Sequence, residues 1–291
     1  MDPDSPLPTV EAARHFSSAR LQAFWQEAWA LLTGKSIDLL GFEEVRQRLR
    51  LRDKRYLGLQ EIPIDKIVGS VGRYKDFTKS FLPRTNAVRS RWQRLDAMAR
   101  GSMGYPPIDV IKVGDAYFVE DGNHRVSVAK QLGARTIEAY VTEMPTPVSF
   151  DANTKPDDLI IKQGYIDFLR DTHLDKLRPD SQVILTEPSR YRKLIEHISV
   201  HKYFMGIEQG RDPSWEEAVV SWYDHVYMPM IELIRNHDIL EYFPGRTEAD
   251  LYAWLVRHQE ALRLSLGGES PTPEEAVEDF VKKLETIGEI T

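Results

Sequence analysis

The chain has 291 residues, a formal net charge of −7, 42% hydrophobic and 29% charged residues, and no cysteine. This is the balance of a soluble globular chain long enough for two domains, or for one domain with a large helical extension. It excludes disulfides, a thiol nucleophile and a cysteine-based zinc site, and it argues against a surface that coats nucleic acid in general.

The start, Met1 to Phe16, lacks the basic opening and apolar core of a secretory leader. No apolar run reaches 18 residues, so no membrane span is expected. With the absence of cysteine, these features give a cytoplasmic expectation. Leu21, Phe24, Trp25, Ala28, Leu31 and Leu32 recur at helical spacing and predict a packing helix over 9–32, stopped by Gly34. A second, basic helix is expected over 38–50. Leu59 to Ile64 reads as an edge strand, because Pro63 is tolerated there. A Gly-rich stretch, Val68 to Arg73, follows. Residues 86–99 predict a helix with Val88, Trp92, Leu95 and Met98 on one face. Ile108–Val113 and Ala116–Glu120 read as strands joined by a Gly114-Asp115 turn. Asp121-Gly122 breaks the second strand, a helix covers 124–132 and ends at Gly133, and Thr136–Thr142 is a last strand.

Pro145, Pro147 and Pro156 mark a boundary at 144–156. Beyond it, helices are expected over 188–204, 214–236, 247–264 and 273–287, with Pro229 kinking the second. Thr247 and Asp250 look like a helix start, and Thr272-Pro273-Glu274-Glu275 reads as a capping box. Trp215, Trp222, Tyr223 and Tyr227 form a helical aromatic stripe, read as core, with a homodimer face as the alternative. His197 and His201 lie one helical turn apart, but without an intervening acid they read as surface histidines and not as a metal pair.

Chemistry concentrates where strand meets helix, at Glu120-Asp121-Gly122-Asn123-His124-Arg125. Residues 68–135 hold twelve Lys/Arg against six Asp/Glu, which leaves −13 for the rest of the chain. A helix N-terminus offers free N–H groups and a positive dipole end, so the turn is expected to hold an anion. Gly122 would let backbone approach it, Asn123 and His124 would donate hydrogen bonds, and Arg125 would supply a planar fork for phosphate oxygens. Asp121 is a candidate metal ligand or proton acceptor. The competing reading is a plain capped turn in which Arg125 pairs with Asp121. Arg84, Arg89, Arg91 and Arg94 are weaker candidates to extend a phosphate site, and Arg73 a better one.

Gly122-Asn123-His124-Arg125, with Val128-Ala129 behind it, resembles the signature turn of the ParB/sulfiredoxin superfamily. The resemblance extends to the Ile62–Ile67 stretch, to Pro106-Pro107-Ile108 and to Gly133-Ala134-Arg135-Thr136-Ile137, about 85 residues in all. It implies an α+β fold: a small mixed α/β domain at 57–143, flanked by N-terminal helices at 1–56 and an all-helical C-terminal domain at 157–291. It also implies ATP or ADP, with CTP as a further option, held by the turn, and Arg73 facing it. Phe243 to Trp254 resembles a bacterial helical domain of unknown function that accompanies ParB-like modules.

The departures narrow the implied activity. Sulfiredoxin chemistry needs a cysteine where this chain has Asn123. DNA-clamping relatives carry a second basic residue in the turn and a DNA-binding region downstream, whereas here the turn has His124 and the downstream region is acidic. The turn is closest to that of free-serine kinases, yet their glutamate base has no counterpart in Gly69-Ser70-Val71-Gly72. The leading expectation is a Mg²⁺-dependent small-molecule kinase or nucleotide hydrolase acting on an unknown acceptor, with Asp121 and His124 catalytic and Asp121 the metal ligand. The alternative is a non-catalytic, nucleotide-responsive regulator of transcription or of a partner.

Overall fold

A computed structural model describes residues 8–34, 37–100, 105–266 and 271–288. The chain divides into two units, Met1–Leu159 and Ile160–Thr291. The expected division near 157 lies beside this one, and the described residues before 57 fall in the first unit together with 57–143.

The first unit is built on a six-stranded mixed sheet in the order β1-β3-β5-β4-β6-β2. Helix α1 (Pro8–Thr33) precedes β1 (Leu40–Gly41), α2 (Phe42–Arg48), β2 (Arg55–Pro63), β3 (Ile67–Ser70) and α3 (Arg89–Ala99). The hairpin β4 (Ile108–Val113) and β5 (Ala116–Asp121) leads into α4 (Asn123–Gln131) and β6 (Thr136–Glu143). Pairing is parallel for β1/β3, β3/β5 and β4/β6, and antiparallel for β4/β5 and β2/β6. This is the α+β arrangement expected for the middle of the chain. Strand β2 lies at an edge with Pro63 as its last residue, where a missing N–H costs least. Gly114, at φ 55°, supplies the left-handed residue of the β4–β5 turn.

Two stretches depart from the reading of local pattern. Val68 to Ser70, expected as Gly-rich loop, lies in the buried strand β3, and Leu40–Gly41, expected as helix, pairs with it in parallel. Gly69 makes this pairing feasible: a Cβ there would sit 2.3 Å from the Leu40 carbonyl oxygen and 2.6 Å from the Phe118 ring. Glycine here marks close backbone approach rather than a turn.

Side-chain alternation along β5 divides the packing between the two faces of the sheet. Tyr117 and Val119 join a core with Ile62, Ile67, Ile108, Trp92 of α3 and Val126 of α4. Phe118 points the other way, edge-on to Phe42 at 5.4 Å and stacked on Phe150 at 5.8 Å. Trp92 is wholly buried, meets Phe16 of α1 edge-on at 5.6 Å, and donates its indole N–H to Ser127 Oγ of α4 at 2.8 Å. That indole fixes α3 against the start of α4.

Helix α1 is packed through Phe16, Ala19 and Ala23. The stripe that was expected to pack faces outward instead: Leu21, Phe24, Trp25, Leu31 and Leu32 are all exposed.

The second unit is helical, as expected. It comprises most of α5 (Pro156–Thr172), then α6 (Leu174–Leu177), α7 (Tyr191–Gln209), α8 (Trp215–Trp222), α9 (Met228–Asn236), α10 (Glu248–Ser265) and α11 (Pro273–Gly288). Helix α5 starts at the end of the proline-marked boundary, in a stretch for which no particular element was expected; Pro156 opens it, a position where its missing N–H is harmless. Both capping boxes form, at Thr247/Asp250 and Thr272/Glu275. Before Pro229 the helix widens into a π turn, Tyr223–Tyr227, and the Met228 N–H reaches back to the Tyr223 carbonyl. The ring that removes a donor is thus accommodated by one inserted residue. Trp222 and Tyr227 are buried in this unit's core, with Trp215 and Tyr223 packed against it, so the aromatic stripe is core.

Candidate anion-binding site at the start of helix α4

Strand β5 ends at Asp121, and Gly122 turns the chain into α4 with φ 114° and ψ 17°. The reason for glycine is local crowding as well as backbone angle. A Cβ at 122 would lie 2.4 Å from Ile108 Cγ2 and 3.1 Å from Arg125 Nε. Gly122 carries no side-chain acceptor, so α4 starts without a side-chain cap. The N–H groups of its first turn have no intrahelical acceptor and point outward with the positive end of the dipole.

They open on a cavity of about 320 Å³, within the size range of small-ligand sites. Its floor is Asp121 to Arg125. One wall is α3, through Arg91, Arg94, Leu95 and Met98, and Pro106 and Arg73 complete it. The fold therefore brings together Arg73, Asp121, Gly122, Asn123, His124 and Arg125, all six of the residues expected at the site from the chain's pattern.

The neighbouring arginines divide by partner. Arg84 is turned away, donating to Glu27 at 2.9 Å and to Asp38 at 2.6 Å. Arg89 lies over the Phe16 ring at 5.4 Å. Arg91 and Arg94 face the cavity and have no carboxylate partner among the described residues. Arg73 sits at φ 25°, with Asp76 3.6 Å from its guanidinium.

Arg125 is already engaged. Its Nη1 donates to the carbonyls of Pro106, at 2.9 Å, and Pro107, and its Nη2 donates to Asp121 Oδ2. The Arg125–Asp121 pair of the capped-turn reading is thus present. Arg125 latches the start of α4 to the loop before β4, and Asp121, with 61% of its side chain exposed, is the ion-pair partner. Cross-strand, Asp121 lies opposite Asp109.

Asn123 is buried, and its Oδ1 has no hydrogen-bond partner among the described residues. A buried acceptor left unmatched costs about 1–3 kcal/mol, so this oxygen is one that a hydroxyl or amino donor of a bound ligand would satisfy. His124 is also buried and stands edge-on to Phe77 at 5.4 Å. Burial first, and then the positive charge of Arg91 and Arg73, push its pKa down to about 4. At pH 7 the imidazole is therefore uncharged and serves as a hydrogen-bonding group.

Leu95, Met98 and Pro106 were read as packing or loop residues; they form the apolar side of the cavity. Their helical spacing could not distinguish a core face from a pocket wall. On α7, His197 Nδ1 is buried with no hydrogen-bond partner among the described residues and His201 Nε2 lies 2.9 Å from Ser221 Oγ, so neither is the surface histidine expected. Among the described residues no group of three or more His, Cys, Asp or Glu is placed to hold a metal ion, and no helix is long and apolar enough to cross a membrane.

No family model and no curated protein matches this chain. Among the solved structures that show partial similarity are two of different kinds. One is a sulfiredoxin from Arabidopsis thaliana, 25% identical over 30% of this chain and 86% of that one, with a TM-score of 0.24. The other is a Pnob8-like ParB-N domain, 13% identical over 80% of this chain and 99% of that one, with a TM-score of 0.22. The architecture described above rests on the chain's own strands and helices.

Proposed function

We propose that this chain binds a nucleotide, with its phosphates at the N-terminus of α4. The observation that carries the reading is the uncapped helix start opening on a cavity that also gathers Arg73, Arg91 and Arg94; the buried, unpartnered Asn123 Oδ1 beside it is an acceptor for a hydroxyl or amino group of the same ligand. The helix start and the arginines suit phosphate oxygens. Leu95, Met98 and Pro106 offer apolar surface to a base, which favours a nucleotide over bare phosphate. ATP, ADP and CTP all fit this chemistry. Arg125 acts chiefly by holding the turn through Pro106, Pro107 and Asp121.

Mg²⁺ commonly takes one or two carboxylates together with substrate phosphates. The exposed carboxylate of Asp121 fits that role once released from Arg125, and Mg²⁺ would supply charge neutralisation at the phosphates. On this reading the chain is a small-molecule kinase or nucleotide hydrolase, and Asp121 also orients the acceptor hydroxyl. A second reading, a nucleotide-responsive regulator, is favoured by two specific features. Asp121 is held by Arg125, and His124 is uncharged near neutrality and far from a base poised at that pH.

Titration calorimetry with ATP, ADP and CTP, with and without Mg²⁺, tests the binding. Binding that falls about tenfold or more in Arg91→Ala and Arg94→Ala, the scale of a charge-assisted hydrogen bond, supports it; failure of the wild type to bind any of the three refutes it. Asp121→Asn separates the two readings. A loss of turnover of about 10²-fold with binding retained supports the enzyme, and nucleotide binding without turnover in the wild type supports the regulator.

A further inference from the structure

Helix α1 is apolar on two opposite faces. Phe16, Ala19 and Ala23 are buried in the first unit. On the other side Leu21, Phe24, Trp25, Trp29, Leu31 and Leu32 are exposed by 58, 55, 63, 67, 87 and 81%. Leu21, Trp25, Ala28 and Leu32 are spaced by four, three and four residues, the spacing of a helix–helix seam, and Phe24, Trp29 and Leu31 flank it.

We infer that this face is the contact of a symmetric dimer, in which α1 packs against α1 of a second copy. A whole aromatic side chain offers about 150–250 Å². With the exposed leucines, the stripe therefore presents roughly 600 Å² of apolar surface, the upper end of what a typical monomer leaves uncovered. A symmetric pair would remove roughly 1,200 Å² in total, the lower bound of a specific protein–protein interface.

Charge selects a second copy as the occupant. A two-fold contact sets a surface against itself, so a charge near the axis would meet its like. Between residues 21 and 32 the only charged residue is Glu27. It is turned inward, accepting a hydrogen bond from Arg84 of its own unit at 2.9 Å. Arg20, just before the stripe, is likewise committed to the Pro83 carbonyl at 2.9 Å. Over residues 21–32 the face is uncharged and self-compatible; Arg14, exposed one heptad before Leu21, lies outside that span. A single arginine is not the lysine- and arginine-rich polar face of a helix that lies on a membrane. Ala28, the smallest side chain of the seam, lies at its middle, where two helices can approach most closely.

The inference is independent of the nucleotide reading, and sedimentation of the full chain tests it. At about 100 µM, above the micromolar dissociation constants of weak interfaces of this size, the wild type is expected at twice the 33.6 kDa chain mass. Ala28→Glu and Ala28→Lys should each sediment as folded monomers, and an equimolar mixture of the two should restore the dimer. Tyr203→Glu with Phe204→Glu, on the separate exposed stripe of α7, should leave the dimer intact. A wild type that is monomeric at that concentration would overturn the inference. So would a dimer indifferent to both Ala28 charges but lost in the α7 variant, or a mixture that stays monomeric. Each variant sits on an exposed or half-exposed position, and unchanged circular dichroism certifies its fold.

Discussion

Replacing Gly122 with alanine isolates the feature on which the whole site depends. The substitution adds one methyl group at φ 114°, a backbone region that L-residues rarely enter, and places it 2.4 Å from Ile108 Cγ2. Backbone strain of this kind costs about 1–3 kcal/mol, and forcing a methyl into a packed site costs about a further 1–3 kcal/mol. The expected loss of stability is therefore about 2–6 kcal/mol, or roughly 4–24 °C in melting temperature for a domain of this size. The Ile108→Ala background divides the two contributions. Removing the obstructing methyl groups should make Gly122→Ala cheaper there by about 1–2 kcal/mol, because packing is relieved while backbone strain stays. Thermal unfolding of the four members of the cycle, with hydrogen exchange over 108–131 to place the change, measures both quantities. Gly122→Ala within about 0.5 kcal/mol of wild type, the range of an ordinary surface change, would refute the account of this turn. A cycle with no coupling would refute the role given to Ile108.

Three other outcomes follow from the geometry. The pKa of His124 is lowered from 6.5 to about 4 in the folded chain, so between those values the unfolded chain binds the extra proton. Its contribution to stability is complete above pH 6.5 and is lost as pH falls toward 4. It amounts to about 2–3 kcal/mol at most, and His124→Gln should flatten this part of the denaturation profile; an unchanged slope would count against it. Asp250 is buried, accepts from the Thr186 N–H and hydroxyl at 3.1 and 2.9 Å, and closes the cap of α10 through the Thr247 N–H. Asp250→Ala should cost about 2–4 kcal/mol by urea denaturation, because it leaves those donors unmatched. Finally, duplex DNA should bind weakly and without sequence preference. Tight, salt-sensitive binding to a defined site in a gel or anisotropy assay would contradict this and would favour the regulator.

Much of the molecule was legible along the chain, because those signals act within a few residues. Gly114-Asp115 between two apolar runs specifies a hairpin whatever else folds around it. Thr247 and Thr272, each followed three residues on by an acid, specify helix starts. Asp121-Gly122 ahead of a helical period specifies a strand-to-helix turn, and the polar residues within it fix which groups gather at the helix start. What remained illegible depends on residues far apart in sequence. Val68 to Ser70 looks like loop until Leu40–Gly41 and β5 flank it, and Gly69 has no evident purpose until the Leu40 carbonyl comes within 2.3 Å of where its Cβ would be. Four arginines of one segment read alike in sequence; the fold turns Arg91 and Arg94 into the cavity, gives Arg84 to two carboxylates and lays Arg89 on Phe16. His124 has an ordinary pKa as a residue type, and burial beside Arg91 and Arg73 lowers it. The periodicity of α1 shows that the helix is apolar, but a helix apolar on both faces carries no local mark of which face its own unit will cover. Backbone propensity, turns and caps are settled by short-range sterics and hydrogen bonding. Partners, dielectric environment and the choice between core and interface are settled only when distant segments meet.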